Sequence, residues 1–267
     1  MSASTPTRGL RLSITLFALT FLSTTYVGVF LSGQAPETPS DLVRGFAYSV
    51  PLMSILLAHE LGHYFAARVH AVPATPPFFV PMPVPPLGTM GAVILMGERI
   101  ERRNALLDIG AAGPLAGLAV ALPVLCYGIA ESPVQLQAPN GGYLMEGRSL
   151  LYVALVYALK GPIPEGYDIH LSPTAFAGWA GLLITMINLI PVAQLDGGHV
   201  AYALLGERQE RVSRRLRSLL PLVALAVSLF YGLEAYHAGY RGYALVPGFM
   251  PGLNWLVWWL VLRFMTR

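Results

Sequence analysis

The sequence predicts an all-α polytopic membrane protein of about six transmembrane helices, interrupted by a Pro-rich re-entrant loop or short β-hairpin. Hydrophobic residues form 55% of the 267 residues and charged residues only 12%, about half the charged share of a soluble domain. The apolar residues are grouped in runs long enough to cross a bilayer, and arginines separate these runs. We therefore expect one membrane-embedded domain over residues 1–267, with the lipid bilayer as a partner and no nucleic acid.

Six apolar runs define the predicted spans. The first is long, follows two arginines and precedes no clear cleavage site, which favours an uncleaved anchor over a signal peptide. The last is short and rich in tryptophan, so it either spans with help from neighbouring helices or lies at the interface. We expect the core at residues 45–205, and the first and the last two helices to be accessory. The spans cover residues 10–31, 45–69, 105–130, 174–193, 216–236 and 253–265.

Two segments between the spans are unusual. Seven prolines between Pro73 and Pro86 exclude a helix, yet their neighbours are apolar, and a glycine-bounded β-branched stretch at residues 88–96 follows. Irregular backbone at membrane depth is tolerated only against protein or a wet cavity. A re-entrant loop or hairpin is therefore favoured over a loop lying flat on the membrane surface. Residues 150–159 are apolar but too few to span, which predicts an interfacial or re-entrant helix.

Arginine positions predict the orientation of the chain. With the amino terminus inside, the arginines of residues 8–11, 99–103, 208–217 and 263–267 all lie on the cytoplasmic side. The links predicted to be external contain few basic residues. Six spans with both termini in the cytoplasm satisfy this pattern, and a bacterial inner membrane is the expected location.

The motif that organises the chain is His59-Glu60-Leu61-Gly62-His63, inside the second predicted span. Two histidines four residues apart lie on one face of a helix, so both imidazoles can reach one metal ion. Ionisable residues at membrane depth are costly and are usually functional. The pattern predicts a catalytic zinc site in which Glu60 acts on a bound water as general base. The single cysteine, Cys126, excludes a cysteine-rich metal site.

A catalytic zinc usually has three protein ligands, and Asp196 is the best candidate for the third. It follows the fourth predicted span, and two glycines after it allow the backbone to approach closely. His59 and Asn188 each lie about 21 Å into spans that run in the same direction, which predicts a similar depth. Pro191 interrupts the fourth helix and can turn the chain back towards the metal. The weaker candidates are His70, Asp108, His170, His199 and His237.

Together these residues resemble the signature of the site-2 proteases, the intramembrane zinc metalloproteases of peptidase family M50. The resemblance is carried by the motif His59–His63 and by the stretch Asn188–Gly197, which reads Asn-Leu-Ile-Pro-Val-Ala-Gln-Leu-Asp-Gly. It extends over residues 51–199, including the Pro-rich loop and the small-residue series 112–117. The bacterial and chloroplast branch without large accessory domains is the most similar. The link at residues 131–173 is too short for a PDZ domain, and we expect no cystathionine-β-synthase-type tail.

The resemblance implies His59, His63 and Asp196 as ligands of one zinc ion per chain, Glu60 as the general base, and Asn188 as a substrate-binding or oxyanion-stabilising residue. It implies an endopeptidase that cleaves a transmembrane or membrane-proximal segment of a membrane protein, in regulated intramembrane proteolysis. Two alternatives stay open from the residues alone. One is a non-proteolytic membrane binding or transport protein with a zinc site, and the other is a membrane zinc peptidase of the prenyl-protein type.

Overall fold

The computed structural model describes residues 6–33, 38–96, 100, 102–136, 146–192 and 194–264. The described chain is mostly helical and has two small antiparallel sheets of two strands each. The helices are α1 (Pro6–Leu31), α2 (Leu42–Val69), α3 (Arg103–Glu131), α4 (Leu150–Lys160), α5 (Pro173–Asn188), α6 (Asp196–Leu205), α7 (Arg208–His237) and α8 (Val246–Phe264). The strands are β1 (Phe78–Pro81), β2 (Thr89–Val93), β3 (Val134–Leu136) and β4 (Tyr167–Ile169).

Five helical segments among the described residues are long and apolar enough to cross a membrane, which confirms the predicted fold class. They are Gly9–Leu31, Leu42–Val69, Arg103–Glu131, Arg208–His237 and Gly242–Arg263. The last is longer than the predicted span because α8 begins at Val246. The fourth predicted span is shorter than expected: α5 has 16 residues and ends at Asn188, three positions before Pro191, which cannot continue a helix. Helix α4 has 11 residues, too few to span.

The chain divides into two compact units. The first comprises Met1–Ile100 and Ala111–Ile187 and contains α1, α2, α4, both sheets and nearly all of α5. The second comprises Glu101–Gly110 and Asn188–Arg267 and contains α6, α7 and α8. Helix α3 contributes its first residues to the second unit and the rest to the first.

In the first unit, α1 and α2 approach each other closely at two glycines. A Cβ atom on Gly28 would lie 2.6 Å from the Gly45 carbonyl oxygen, and one on Gly45 would lie 2.1 Å from the Thr25 carbonyl oxygen. Lipid tails are as apolar as leucine, so hydrophobic burial gives little drive for association between membrane helices. Close backbone packing of this kind supplies the van der Waals contact that holds α1 against α2.

The Pro-rich segment forms the predicted short β-hairpin. Strands β1 and β2 are antiparallel, with Phe78 opposite Val93 and Phe79 opposite Ala92. Helix α1 packs along β1. Phe79 is 1% exposed, and the ring of Phe17 meets it edge to face with centroids 5.2 Å apart. Phe79 thus anchors the hairpin in the hydrophobic core of the first unit.

Side-chain hydroxyls of α1 and α2 hold the hairpin segment in place. The Oγ atoms of Ser13 and Ser23 donate hydrogen bonds to the carbonyls of Pro77, just before β1, and Gly88, just before β2, at 2.6 and 2.7 Å. The Oη atom of Tyr48, a fully buried side chain, donates to the Leu87 carbonyl at 2.9 Å. Carbonyls of irregular backbone need such partners where water is absent. These bonds favour the re-entrant interpretation over a loop lying flat on the membrane surface.

We expect the substitution Tyr48→Phe to loosen the hairpin, because the Leu87 carbonyl loses its donor. Loss of one such bond costs about 1–3 kcal/mol, so amide hydrogen exchange in β1 and β2 should be at least about fivefold faster. Tyr26→Phe, at a tyrosine that is 40% exposed in the same unit, is the control. Equal exchange rates in the wild type and Tyr48→Phe would show that the hydroxyl does not hold the hairpin.

Candidate metal centre

The two histidines of the motif lie one turn apart on α2, and both are buried, at 3% exposed for His59 and 6% for His63. Their Nε2 atoms are 3.2 Å apart, and their ring centroids are 4.9 Å apart. Two nitrogen atoms that each lie about 2.0–2.1 Å from one tetrahedral zinc ion are about 3.3 Å apart. The histidine pair therefore has the separation that a shared zinc ion requires.

Two glycines of α3 make room for the imidazoles. A Cβ atom on Gly113 would lie 2.0 Å from His63 Nε2, and one on Gly117 would lie 3.1 Å from His59 Nδ1. The glycines are four residues apart, as the histidines are, and the pairing runs in opposite directions along the two helices. Helices α2 and α3 are therefore antiparallel here. A larger side chain at Gly113 would push the His63 ring out of its position.

The two helix backbones also touch between the histidines. A Cβ atom on Gly62 would lie 2.5 Å from the Ala112 carbonyl oxygen and 2.9 Å from the Ala116 Cβ atom. The small residues of α3 thus allow the two helices to pack closely. The direct contact of the α3 glycines with the histidines was not predicted. The sequence does contain a signal for it, since glycines and histidines share a spacing of four residues.

The carboxylate of the motif is also buried. Glu60 is 8% exposed and follows His59 on α2. Successive residues of a helix are rotated by about 100°, which puts Glu60 about 60° from the direction of His63 and beside the face that both histidines share. A carboxylate in a helix that can cross a membrane is costly. The carboxylate thus lies beside two potential metal ligands, in a position where it could accept a proton.

The second unit contains the other two predicted site residues. Asn188 is the last residue of α5, Asp196 is the first of α6, and both are partly buried. A Cβ atom on Gly197 would lie 2.1 Å from the Leu189 carbonyl oxygen. The chain after α5 therefore doubles back onto the start of α6, which is the turn that Pro191 predicts.

The start of α6 also packs on the first part of α3. A Cβ atom on Gly110 would lie 3.3 Å from the Asp196 carbonyl oxygen and 3.3 Å from the His199 Cβ atom. Gly110 belongs to the same unit as Asp196. The backbone on both sides of Asp196 is thus fixed, by Gly110 of α3 and by Leu189 at the end of α5.

The weaker ligand candidates lie at other places in the chain. His70 follows the end of α2, His170 follows β4, and His237 is the last residue of α7. Asp108 is exposed on α3, and His199 lies in the first turns of α6. Within the described ranges, none of these five residues belongs to a group of three or more side chains able to hold a metal ion.

Comparison with known proteins identifies several relatives. The probable zinc metalloprotease EGY2, chloroplastic, of Oryza sativa subsp. indica is 33% identical over 205 residues, which are 74% of this chain and 35% of that protein. EGY2 of Arabidopsis thaliana is 35% identical over 179 residues, 64% of this chain and 31% of that protein. EGY1 of Arabidopsis thaliana, also a probable zinc metalloprotease, is 33% identical over 174 residues, which are 62% of this chain and 30% of that protein. The chain thus spans about a third of the length of these relatives. No solved structure matches it.

A family model also matches the chain, from residue 47 to residue 231. The matched region begins in α2 ahead of the histidine motif, contains all of α3, and continues beyond Asp196 into α7. That model describes peptidase family M50. Since the match covers more than half of the 267 residues, the chain belongs to peptidase family M50.

Proposed function

We propose that this chain is an intramembrane zinc endopeptidase that cleaves a transmembrane or membrane-proximal segment of a membrane protein, in regulated intramembrane proteolysis. The observation that carries the proposal is the buried histidine pair, at zinc-sharing distance, on a helix that can cross a membrane. Membership of peptidase family M50 and relatives named as zinc metalloproteases support it. We place the protein in a bacterial inner membrane with both termini in the cytoplasm, on the arginine pattern.

Three residues are proposed as zinc ligands: His59, His63 and Asp196. The buried histidine pair, at zinc-sharing distance, supplies two of them. Asp196 is added because it belongs to the stretch Asn188–Gly197, which resembles the site-2 protease signature. Two imidazoles and a carboxylate are a donor set of catalytic zinc sites that keep one position open for water.

Glu60 is proposed as the general base. A zinc ion held here would lower the pKa of its bound water towards 7 and polarise the peptide carbonyl. Glu60 takes a proton as water attacks the peptide carbonyl, and returns it to the leaving amine. Its 8% exposure limits exchange of that proton with bulk water. The Asn188 amide is proposed to donate a hydrogen bond to the substrate carbonyl oxygen as that oxygen gains negative charge.

The hairpin is proposed to receive the substrate. A substrate helix in a membrane hides its carbonyls in its own hydrogen bonds, so it must unwind locally before cleavage. Helix α1 covers β1, whereas Met90 and Val93 of β2 are 72% and 51% exposed. An extended substrate segment can add to β2 as a further strand. If it does, Tyr48→Phe, which loosens the hairpin, will lower cleavage while the zinc content stays unchanged. Full cleavage by that variant would contradict the addition of a substrate strand to β2.

We expect Glu60→Gln to abolish cleavage and to keep zinc. The amide preserves the size of the side chain but cannot take a proton, and a general base contributes about 10²–10⁴-fold to rate. The measurement is cleavage of a transmembrane test substrate by protein reconstituted in vesicles, with zinc content measured on the same samples. Glu131→Gln, at the exposed end of α3, is the matched control and should cleave normally.

A different result would favour the non-proteolytic alternative. If the wild type fails on several substrates and neither a chelator nor Glu60→Gln changes its behaviour, the chain is a zinc-containing binding or transport protein.

Asp196→Asn should weaken zinc binding strongly, because a neutral amide replaces a charged ligand. Loss of a residue that only supports a ligand already costs about 10–100-fold in metal affinity, so we expect a loss of at least about 100-fold. Competition with a chelator of known affinity measures it. His199→Gln changes a neighbouring candidate on the same helix and should bind zinc normally. Weak zinc binding in His199→Gln and normal binding in Asp196→Asn would assign the third ligand to His199.

Gly113→Ala tests the glycine contact directly. The added methyl group would lie 2.0 Å from His63 Nε2, so the ring must leave its position and the histidine pair must separate. We expect zinc affinity to fall by at least about tenfold. Gly9→Ala on α1, where an added Cβ atom meets nothing within 4 Å, is the control. Wild-type zinc affinity in Gly113→Ala would show that the close contact does not set the position of His63.

A further inference from the structure

We propose that the amino-terminal part of α7 is a binding site for the headgroups of anionic phospholipids. Helix α7 has 30 residues and is about 45 Å long, whereas the hydrocarbon core of a bilayer is about 30 Å thick. Its continuous apolar part begins at Leu219. The preceding turns therefore project from the hydrocarbon at the level of the lipid headgroups. They contain five arginines, Arg208, Arg211, Arg214, Arg215 and Arg217.

Three of these arginines form a row on one face of the helix. Arg208, Arg211 and Arg215 are spaced three and then four residues apart and are all exposed. Among the described residues, none of the three pairs with a carboxylate. Arg214 and Arg217 differ, because their Nη2 atoms lie 3.9 and 3.5 Å from Glu210 Oε1. The arginine row is thus an exposed run of positive charge without a neutralising partner in the described chain.

The arginine row continues along the same helix face into a row of exposed leucines. With a rotation of about 100° per residue, the arginines and the leucines fall within an arc of about 80°. The leucines are 51%, 61%, 49% and 57% exposed at Leu219, Leu222, Leu229 and Leu233. One face therefore offers cations at headgroup level and apolar side chains beneath them. A phospholipid has the same order of groups, a phosphate above its acyl chains.

Helix α8 occupies the other side of α7. The Oγ atom of Ser228 donates to the Phe249 carbonyl at 2.9 Å, and a Cβ atom on Gly232 would lie 2.3 Å from the Phe249 ring. Ser228 lies about 130° around the helix from the arginine row's midpoint. Within this unit, α8 therefore leaves the face with the arginine row open to lipid.

The chemistry of the row favours phosphate. The guanidinium group of arginine is planar and can donate two parallel hydrogen bonds to one phosphate, which the ammonium group of lysine cannot do. Arg103 adds a further cation at this level, since its guanidinium lies 3.0 Å from the place of a Cβ atom on Gly206, two residues before α7. Continuity with the leucine row identifies the occupant as a lipid with a phosphate headgroup, and the excess of positive charge identifies it as an anionic one.

Lipid binding to the full chain tests the proposal. Native mass spectrometry of the purified protein, titrated with phosphatidylglycerol or with phosphatidylcholine, gives a binding constant for each lipid. We expect the wild type to prefer phosphatidylglycerol. Arg211→Gln, in the middle of the row, should weaken that binding by about fivefold, and Arg211→Lys should restore part of it. Arg214→Gln removes the same charge from the same helix outside the row and should bind as the wild type does.

Three outcomes would overturn the proposal. Equal losses of affinity for phosphatidylglycerol in Arg211→Gln and Arg214→Gln would show a general effect of positive charge on α7. Displacement of phosphatidylglycerol by millimolar inorganic phosphate would show a site for a free anion. A wild type without preference for phosphatidylglycerol would leave the arginine row to an acidic protein partner. Unchanged zinc content and melting temperature in all variants confirm that the fold is intact.

Discussion

The structure of the metal centre depends on one steric constraint, the space that α3 leaves beside the histidines of α2. Gly113 and Gly117 provide that space, and the contact of Gly62 with the Ala112 carbonyl brings the backbones together. In a bilayer, helices gain little from burying apolar surface against each other, so close packing has to supply the association energy. The same glycines therefore stabilise the pairing of α2 with α3 and make room for the two imidazoles. Helix association sets the positions of the imidazoles before any ion binds, which lowers the cost of ordering them on binding.

A second constraint acts on the backbone of the hairpin. Prolines remove N–H donors from this segment and prevent a helix, so carbonyls at membrane depth need partners from elsewhere. Ser13, Ser23 and Tyr48 supply three of these partners. Helix α1 was expected to be accessory to the core of the domain. Its packing along β1 gives it a more specific role, because it holds β1 in place while Met90 and Val93 of β2 stay exposed.

The structural features that depend on residues close together in the chain could be predicted from the sequence. The histidine spacing, the short apolar helix α4, the hairpin and the reversal after Pro191 all follow from residues close together in the chain. The hydroxyl contacts could not be predicted, because Ser13 and Ser23 are 64 and 65 positions from their carbonyl partners. The same reason explains the missed contact of Gly113 with His63. The last span was predicted to begin at residue 253, whereas α8 begins at Val246 and contains Pro247 and Pro251, since proline is tolerated in the first turn and in helices that lie in a bilayer.

The helices differ in how much of their apolar surface is enclosed, and this bears on where hydrolysis can occur. In the most apolar window of each candidate span, 44% of the residues of α2 are buried but only 11% of those of α7. Helix α2 carries Glu60 and both histidines, so these proposed catalytic residues lie on the most enclosed of the described candidate spans. Helix α7 presents its leucines outward instead. Peptide hydrolysis inside a membrane requires both conditions at once: a site shielded from lipid in which water can be held, and an outer surface that lipid accepts.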